Sequence, residues 1–509
     1  MKEKMFLFVL IVCILAISSV LGGGQTAWAE ASKIRICMAT DTPTLDPHMH
    51  AEKVGVQLNM ALFDPLFYLD RELKIIPMLA TDHKVIDDTT VEVYLRKGVS
   101  FHNGEKFNAE IVKFNIERIQ NPETKSPVRG KATWIKSVDI VDEFTVRFRL
   151  NAPYPIWQYQ LTSLCMVPKQ YLSEKGAEYF ADHAVGTGPY KFVSWTRGSE
   201  IVLTANEEYY KGAPAIKELV WKVIPDASVQ IASLISGDVD LVQFVNPENV
   251  PALEADPNIK VANKAELRFG WICLADALKP DSPLSDRRVR QAMNYAVDKK
   301  AIINDIIYGL GTQVTSLNTM HWGYDPSVDP YPHDLEKAKA LMKEAGYPDG
   351  FKTILNMTPV NQVKGEEVHQ AVQAMWAKIG VKARIQKWSG TGYMELVTSG
   401  KANPIYILNW GSFGIPDGDV ILYPFFHSKG TYGNFWNSSE TDRLIDIQHT
   451  SMDPKVRKEA MSKAQQIIRE EAPWVFMFAY RSIDAWNKKF DFKARSDGRI
   501  YAYDIGLAK

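Results

Sequence analysis

VGTGPYKFVSWTRGSEIVLTANEEYYKGAPAIKELVWKVIPDASVQIASLISGDVDLV, residues 185–242, sets a Gly/Pro turn, an alternating hairpin and a helix-to-strand unit in one order. Gly186, Gly188 and Pro189 mark the turn, since glycine and proline punctuate regular structure. The runs at 190–195 and 201–205 predict two short strands. Upstream, Lys33 to Met38 predicts a first strand that leads into DTPTLDP at 41–47, a loop of extended and turn-forming residues. Val91, Val93 and Leu95 alternate, as do Val146, Phe148 and Leu150, which predicts half-buried strands. Val289, Ala292, Met293, Ala296 and Val297 recur at helical spacing after Ser285 and Asp286, which supply an N-cap and an acidic first turn. Val368, Val372, Met375, Trp376 and Ile379 do the same and stop at Gly380, before a strand-like 381–385. Repeated helix-to-strand units of this type predict an α/β protein with sheets covered by helices.

A chain of 509 residues can hold two or three domains without covalent staples. With 23% charged residues and a formal net charge of −1, it lacks the concentrated positive charge that nucleic acid requires. Lys2 and Lys4 precede an apolar run from Met5 to Leu21, and Ala27-Trp28-Ala29 follows; these are the three parts of a secretory signal peptide. Cleavage is expected after Ala29, with Ala31 as second choice. An uncleaved anchor is the alternative, because this run is at the lower edge of what spans a bilayer. Removal of the signal leaves Cys37, Cys165 and Cys273, which make at most one disulfide and no metal-site spacing.

The GTGPY turn, followed by Asn206, Tyr209, Tyr210, Gly212, Pro214 and then GDVD at 237–240, resembles the core of family 5 extracytoplasmic solute-binding proteins. LDP at 45–47, VEVYLRKGVSFHNGEKFNAEIVKFNIER at 91–118 and SDRRVRQAMNYAVDKKAI at 285–302 are similar to family segments in family order. The resemblance implies a type II periplasmic binding protein fold, two lobes around a cleft with an extra domain inserted in the first lobe. Lobe one would be 32–62, 184–265 and 474–509, the insert 63–183, lobe two 266–473, and residues 1–29 the signal peptide. It further implies delivery of a peptide or peptide-like solute to the permease subunits of an ABC importer in the inner membrane, by a periplasmic monomer without a cofactor. No cysteine stands between Gly22 and Ala31 to carry a lipid.

Function then rests on residues facing the cleft. Asp41, Thr44, Leu45 and Asp46 follow the first strand, and either touch the solute or only shape a turn. The loop NWGSFGIPDGD at 409–419 resembles the Trp and acidic loop with which the family grips its ligand. There Trp410 offers a stacking surface with one N–H donor, and Asp417 either accepts from the ligand or fixes its own turn. Arg268 is a candidate partner for a carboxylate, or a bridging residue near the hinge. Tyr393, Phe413, Tyr432 and Trp436 add aromatic surface, with two of the four expected in the core. Departures from the family matter too. Members that take free dipeptides hold the α-amino group with an Asp three residues after the loop Trp, where this chain has Phe413, and the carboxylate with an Arg where the stretch 358–365 offers only Lys364. Charges buried without those partners cost about several kcal/mol each, so a zwitterionic dipeptide is disfavoured.

Other readings stay open. His48 and His50 alternate on an extended segment and suggest the nickel-chelate branch, although two imidazoles are too few for a closed site. Opine-type solutes, a receptor or chaperone without cargo, and a hydrolase using the cleft are the further alternatives. The sequence contains no nucleophile elbow, HExxH, CxxC or Gly-rich phosphate loop to support the last.

Overall fold

The computed structural model describes residues 32–358, 364–389, 392–411, 414–433 and 435–508. In it the stretch 185–242 forms the antiparallel hairpin Tyr190–Thr196 and Glu200–Ala205, with Glu218–Val223 paired to the second strand. Helix Ala227–Ser236 follows. It is capped by Asp226, whose side chain accepts from the N–H groups of Ser228 and Val229, and it ends at Gly237 in the left-handed region, φ 83°.

The two glycines of the opening turn are there for space. A Cβ on Gly186 would stand 1.9 Å from the carbonyl oxygen of Leu62, and one on Gly188 would stand 2.5 Å from the Leu62 carbonyl carbon. Both obstacles are backbone, so neither can rotate away. His102 closes the turn from the other side, its Nε2 3.0 Å from the Gly188 carbonyl and its Nδ1 accepting from Gly186 N at 3.2 Å. That pair of partners requires the neutral Nε2–H tautomer. Burial holds the ring neutral, with its pKa lowered to about 4. Because the folded value lies below the unfolded one, the His102 contribution is complete above about pH 6.5 and is lost as the pH falls toward 4. The destabilisation by His102→Ala, measured by urea unfolding, is therefore expected to shrink between pH 7.5 and pH 4.5. An unchanged or growing difference would contradict this protonation state.

Among the described residues eleven strands join in one mixed sheet. Its order is Val381–Lys387, Phe351–Met357, Ile405–Trp410, Ile259–Leu274, Trp474–Asn487, Leu241–Val242, Lys33–Met38, Glu218–Val223, Glu200–Ala205 and Tyr190–Thr196, with Gly311–Gln313 added beside Trp474–Asn487. Two long antiparallel strands, Ile259–Leu274 and Trp474–Asn487, stand at the middle and carry the backbone from one half to the other. Their register shifts twice, between Ala265 and Phe269 and between Phe269 and Trp271, so the ribbon bends where the halves meet. One core gathers Ile34, Leu62, Tyr190 and Trp221, and another gathers Trp271, Trp376, Phe425 and Trp474. A third, around Val91, Ile116 and Phe148, lies under the four-stranded antiparallel sheet of Ala80–Asp87, Thr90–Leu95, Thr145–Leu150 and Ile135–Asp142.

The alternating runs and both helical repeats are realised as strands and helices, with helices Arg287–Tyr295 and Gly365–Ala377 in the second half. Asp286 is itself the N-cap of the first, accepting from Arg288 N, so that helix has no acidic first turn. Trp376 ties the second to the first by donating from Nε1 to the carbonyl of Met293. Cys37, Cys165 and Cys273 are free thiols, and burial pushes the first two up to about 12. No helix among the described residues is long and apolar enough to cross a membrane.

Candidate functional site

Two sets of parallel strands place the site. Lys33–Met38 runs parallel to Glu218–Val223 and Leu241–Val242, and Phe351–Met357 runs parallel to Val381–Lys387 and Ile405–Trp410. In open α/β sheets ligands lodge beyond the carboxyl ends of such strands. Here those ends meet. Glu248, in the loop after Leu241–Val242, forms an ion pair with Lys364, in the loop after Phe351–Met357. Arg499 of the C-terminal tail reaches the loop after Ile405–Trp410, where a Cβ on Gly414 would stand 3.0 Å from its Nη2. The stretch 63–183 touches the second half as well, through Ile156 in its core and through Tyr154, edge-on to His449 at 5.6 Å.

Trp410 ends its strand half-buried, paired in register with Phe269 and edge-on to Phe425 at 5.3 Å and Tyr432 at 5.5 Å. Tyr432, also half-buried, stacks on Phe425 at 4.7 Å. Together they make a partly exposed aromatic wall. Tyr393 and Trp436 do not join it. The Tyr393 hydroxyl lies 2.9 and 3.0 Å from the carbonyls of Asn356 and Ile407 and ties two strands together, while Trp436 packs against Phe426 inside the core. Phe413 lies outside the described residues, as does 359–363 within the stretch that lacks an Arg.

Asp417 is buried and accepts from Arg457 Nη2 at 2.8 Å and from Asp419 N at 2.9 Å. Burial raises its pKa, and the Arg457 guanidinium offsets part of that. Both bonds fall on Oδ1, one from its own turn and one from helix Pro454–Glu471. The first-strand loop is used in the same way. Asp41 accepts from Trp195 Nε1 and Gly198 N, and Thr44 donates to the Ala181 carbonyl. Leu45 is core, and Asp46 takes a two-pronged bond from Arg118. His48 accepts from Arg118 and lies 2.9 Å from the Cys165 carbonyl, and His50 pairs with Asn59. Among the described residues no three His, Cys, Asp or Glu side chains are placed to hold a metal ion.

Arg268 donates to Glu266 Oε2 at 2.9 Å and stands over the Tyr480 ring at 4.7 Å and 5.9 Å from that of Phe244. It belongs to a charged floor on the hinge strands that sequence reasoning missed. Lys53 and Gln57, four apart on helix Lys53–Leu62, face this floor with Gln243, Phe244 and Asp484. Gln57 donates to Gln243 Oε1 at 2.7 Å, and Asp484 accepts from Gln243 and from Phe244 N. Burial raises the Asp484 carboxyl and lowers the Lys53 ammonium. One local signal was available. A lysine in the first helical turn sits at the positive end of the backbone dipole, where local rules disfavour it.

This arrangement has relatives. Residues 74–433 match the family model described as bacterial extracellular solute-binding proteins, family 5 Middle. The chain is 28% identical over 472 residues to the glutathione-binding protein GsiB of Salmonella choleraesuis, covering 90% of this chain and 91% of that one. It is 31% identical over 438 residues to heme-binding protein A of Haemophilus influenzae, covering 78% of each. The solved structure of the periplasmic binding protein DppA from Helicobacter pylori with the peptide STSA superposes with a TM-score of 0.79 at 27% identity, over 94% of this chain and 98% of that one. With a family model matched over most of its length and two lobes meeting at the carboxyl ends of their strands, the chain belongs to the family 5 bacterial extracellular solute-binding proteins.

Proposed function

We propose that this chain captures a peptide or peptide-like solute between its halves and presents the closed form to the permease of an ABC importer. The observation that carries this reading is the meeting of the two sets of carboxyl-end loops across a pair of hinge strands, with the aromatic wall of Trp410 and Tyr432 beside a charged floor. A solute touching both faces stabilises the closed arrangement by its differential contacts. In this reading lobe one is 32–62, 184–265 and 474–509, the insert is 63–183, and lobe two is 266–473. The mature protein is a periplasmic monomer beginning near Glu30. Of the residues named from sequence, Trp410, Tyr432 and Arg268 remain the proposed contacts, with Phe413 on the same loop. Asp41, Thr44, Leu45, Asp46 and Asp417 shape the walls, while Tyr393 and Trp436 support them from within. Mass spectrometry of material co-purified from the periplasm tests the reading. Peptides support it, whereas one defined chelate or opine-like compound would replace it.

Specificity follows from the missing anchors. With Phe413 at the amino-binding position and no Arg in 358–365, unmodified dipeptides are expected to bind weakly or not at all in calorimetric titration. Micromolar or tighter binding of a dipeptide panel would overturn that expectation.

A further inference from the structure

Lys53 stands on the cleft floor beside an aromatic ring. Its side chain is exposed, yet the ammonium lies 3.4 Å from the centroid of the Phe244 ring, and a Cβ on Gly498 would stand 3.0 Å from it. Glu266, Arg268, Asp484 and Asp497 all act on it electrostatically, so the ammonium lies in a recess lined by protein although the residue as a whole is exposed. No carboxylate closes on it. Among the described residues Lys53 makes no ion pair and no hydrogen bond, because its neighbours are engaged elsewhere. Glu266 Oε2 holds Arg268, Asp497 holds Arg495 at 2.9 Å, and Asp484 takes Gln243 and the Phe244 N–H.

Two further observations point to the same recess. Glu266 is 4% exposed, and its Oε1 is buried without a partner, which is costly for a carboxylate oxygen. Phe244 is 38% exposed and holds a left-handed backbone, φ 58°, a conformation that non-glycine residues keep where surrounding structure enforces it and that clusters at ligand sites. An ammonium with three donors to give, a carboxylate oxygen with one acceptor to fill and an exposed ring call for a group that carries an anion next to an N–H. The last residue of a peptide presents that pair.

Resting on the cleft as the solute site, we propose that Lys53 and Glu266 anchor the carboxyl end of the solute. Lys53 donates to the terminal carboxylate, Glu266 Oε1 accepts from the adjacent amide N–H, and the Phe244 ring forms the floor beneath them. This anchor stands in for the Arg that 358–365 lacks, from the opposite face of the cleft.

The test uses three synthetic pools of tripeptides with uncharged side chains: free acids, C-terminal amides, and acids N-methylated at the last amide. Native mass spectrometry reads retention on the parent, Lys53→Met and Lys53→Arg. The parent is expected to favour acids over amides by at least about tenfold, the worth of one charge-assisted contact. Lys53→Met is expected to erase that preference, Lys53→Arg to keep most of it, and N-methylation to weaken binding to the parent. Lys53 is exposed, so neither substitution removes a core contact. Equal retention of acids and amides by the parent, or a preference that survives in Lys53→Met, overturns the Lys53 contact and leaves the peptide reading standing. Undiminished binding of the N-methylated pool overturns the Glu266 contact. Retention of no pool by the parent overturns the anchor and the peptide reading together.

Discussion

Gly186→Ala is expected to prevent accumulation of the folded protein, or to destabilise it by more than about 4 kcal/mol, the range reserved for changes a fold cannot absorb. The added methyl would sit 1.9 Å from the carbonyl oxygen of Leu62, which closes helix Lys53–Leu62 and packs in the first core. Moving that backbone also moves Gly188, whose N–H donates to the same oxygen at 3.0 Å, and His102, which grips both glycines. Gly198→Ala is the control. It removes another glycine of the same stretch, at φ 71°, but with nothing within 4 Å of the new methyl, so it costs only local backbone strain. Equal thermal stability of the two variants would refute the steric account of the turn.

Arg118→Ala is expected to cost about 3–5 kcal/mol, the penalty for stranding one member of a buried ion pair. Asp46 is 1% exposed and would keep only the His48 N–H at 3.0 Å and local turn contacts. Burial alone would raise its pKa; the Arg118 guanidinium and His48 together outweigh that and hold the carboxyl below its usual range. The same guanidinium donates to His48 Nδ1 at 2.7 Å, so its loss strands two groups on the first-strand loop. Chemical denaturation measures the loss. A change below about 1 kcal/mol, the scale of an exposed pair, would show that the cluster contributes no more than a surface bridge.

These two sites mark where sequence reading stops. The hairpin, the first strand and the helix beginning at Gly365 were legible because burial imposes a period of 2 or 3.6 on nearby residues. That Gly186 and Gly188 form a turn was equally legible. That the turn lies on Leu62, more than a hundred residues away, was not, since no local pattern encodes a tertiary approach. The sequence allows Asp46 either to touch the solute or to shape a turn, and its partner Arg118, which turns it inward, comes from helix Ala109–Gln120. Asp417 carries the same two readings in the sequence, and its partner Arg457 lies 40 positions on. Lys53 was the reverse. Its place at the start of a helix was a weak local signal, and the hinge strands, Phe244 and Gly498 converging on it place that lysine in the proposed anchor.

A solute is expected to draw the two hinged halves together, and small-angle scattering of the protein reads that closure. The sample is stripped of bound solute by reversible unfolding, then measured before and after saturation with the material that co-purifies. The radius of gyration is expected to fall on saturation, because contacts to both faces favour the closed arrangement. Trp410→Ala is expected to weaken the response by removing the aromatic wall on the second half. A radius of gyration that stays constant on saturation, with Trp410→Ala binding as tightly as the parent, would contradict both the hinge and the placement of the site.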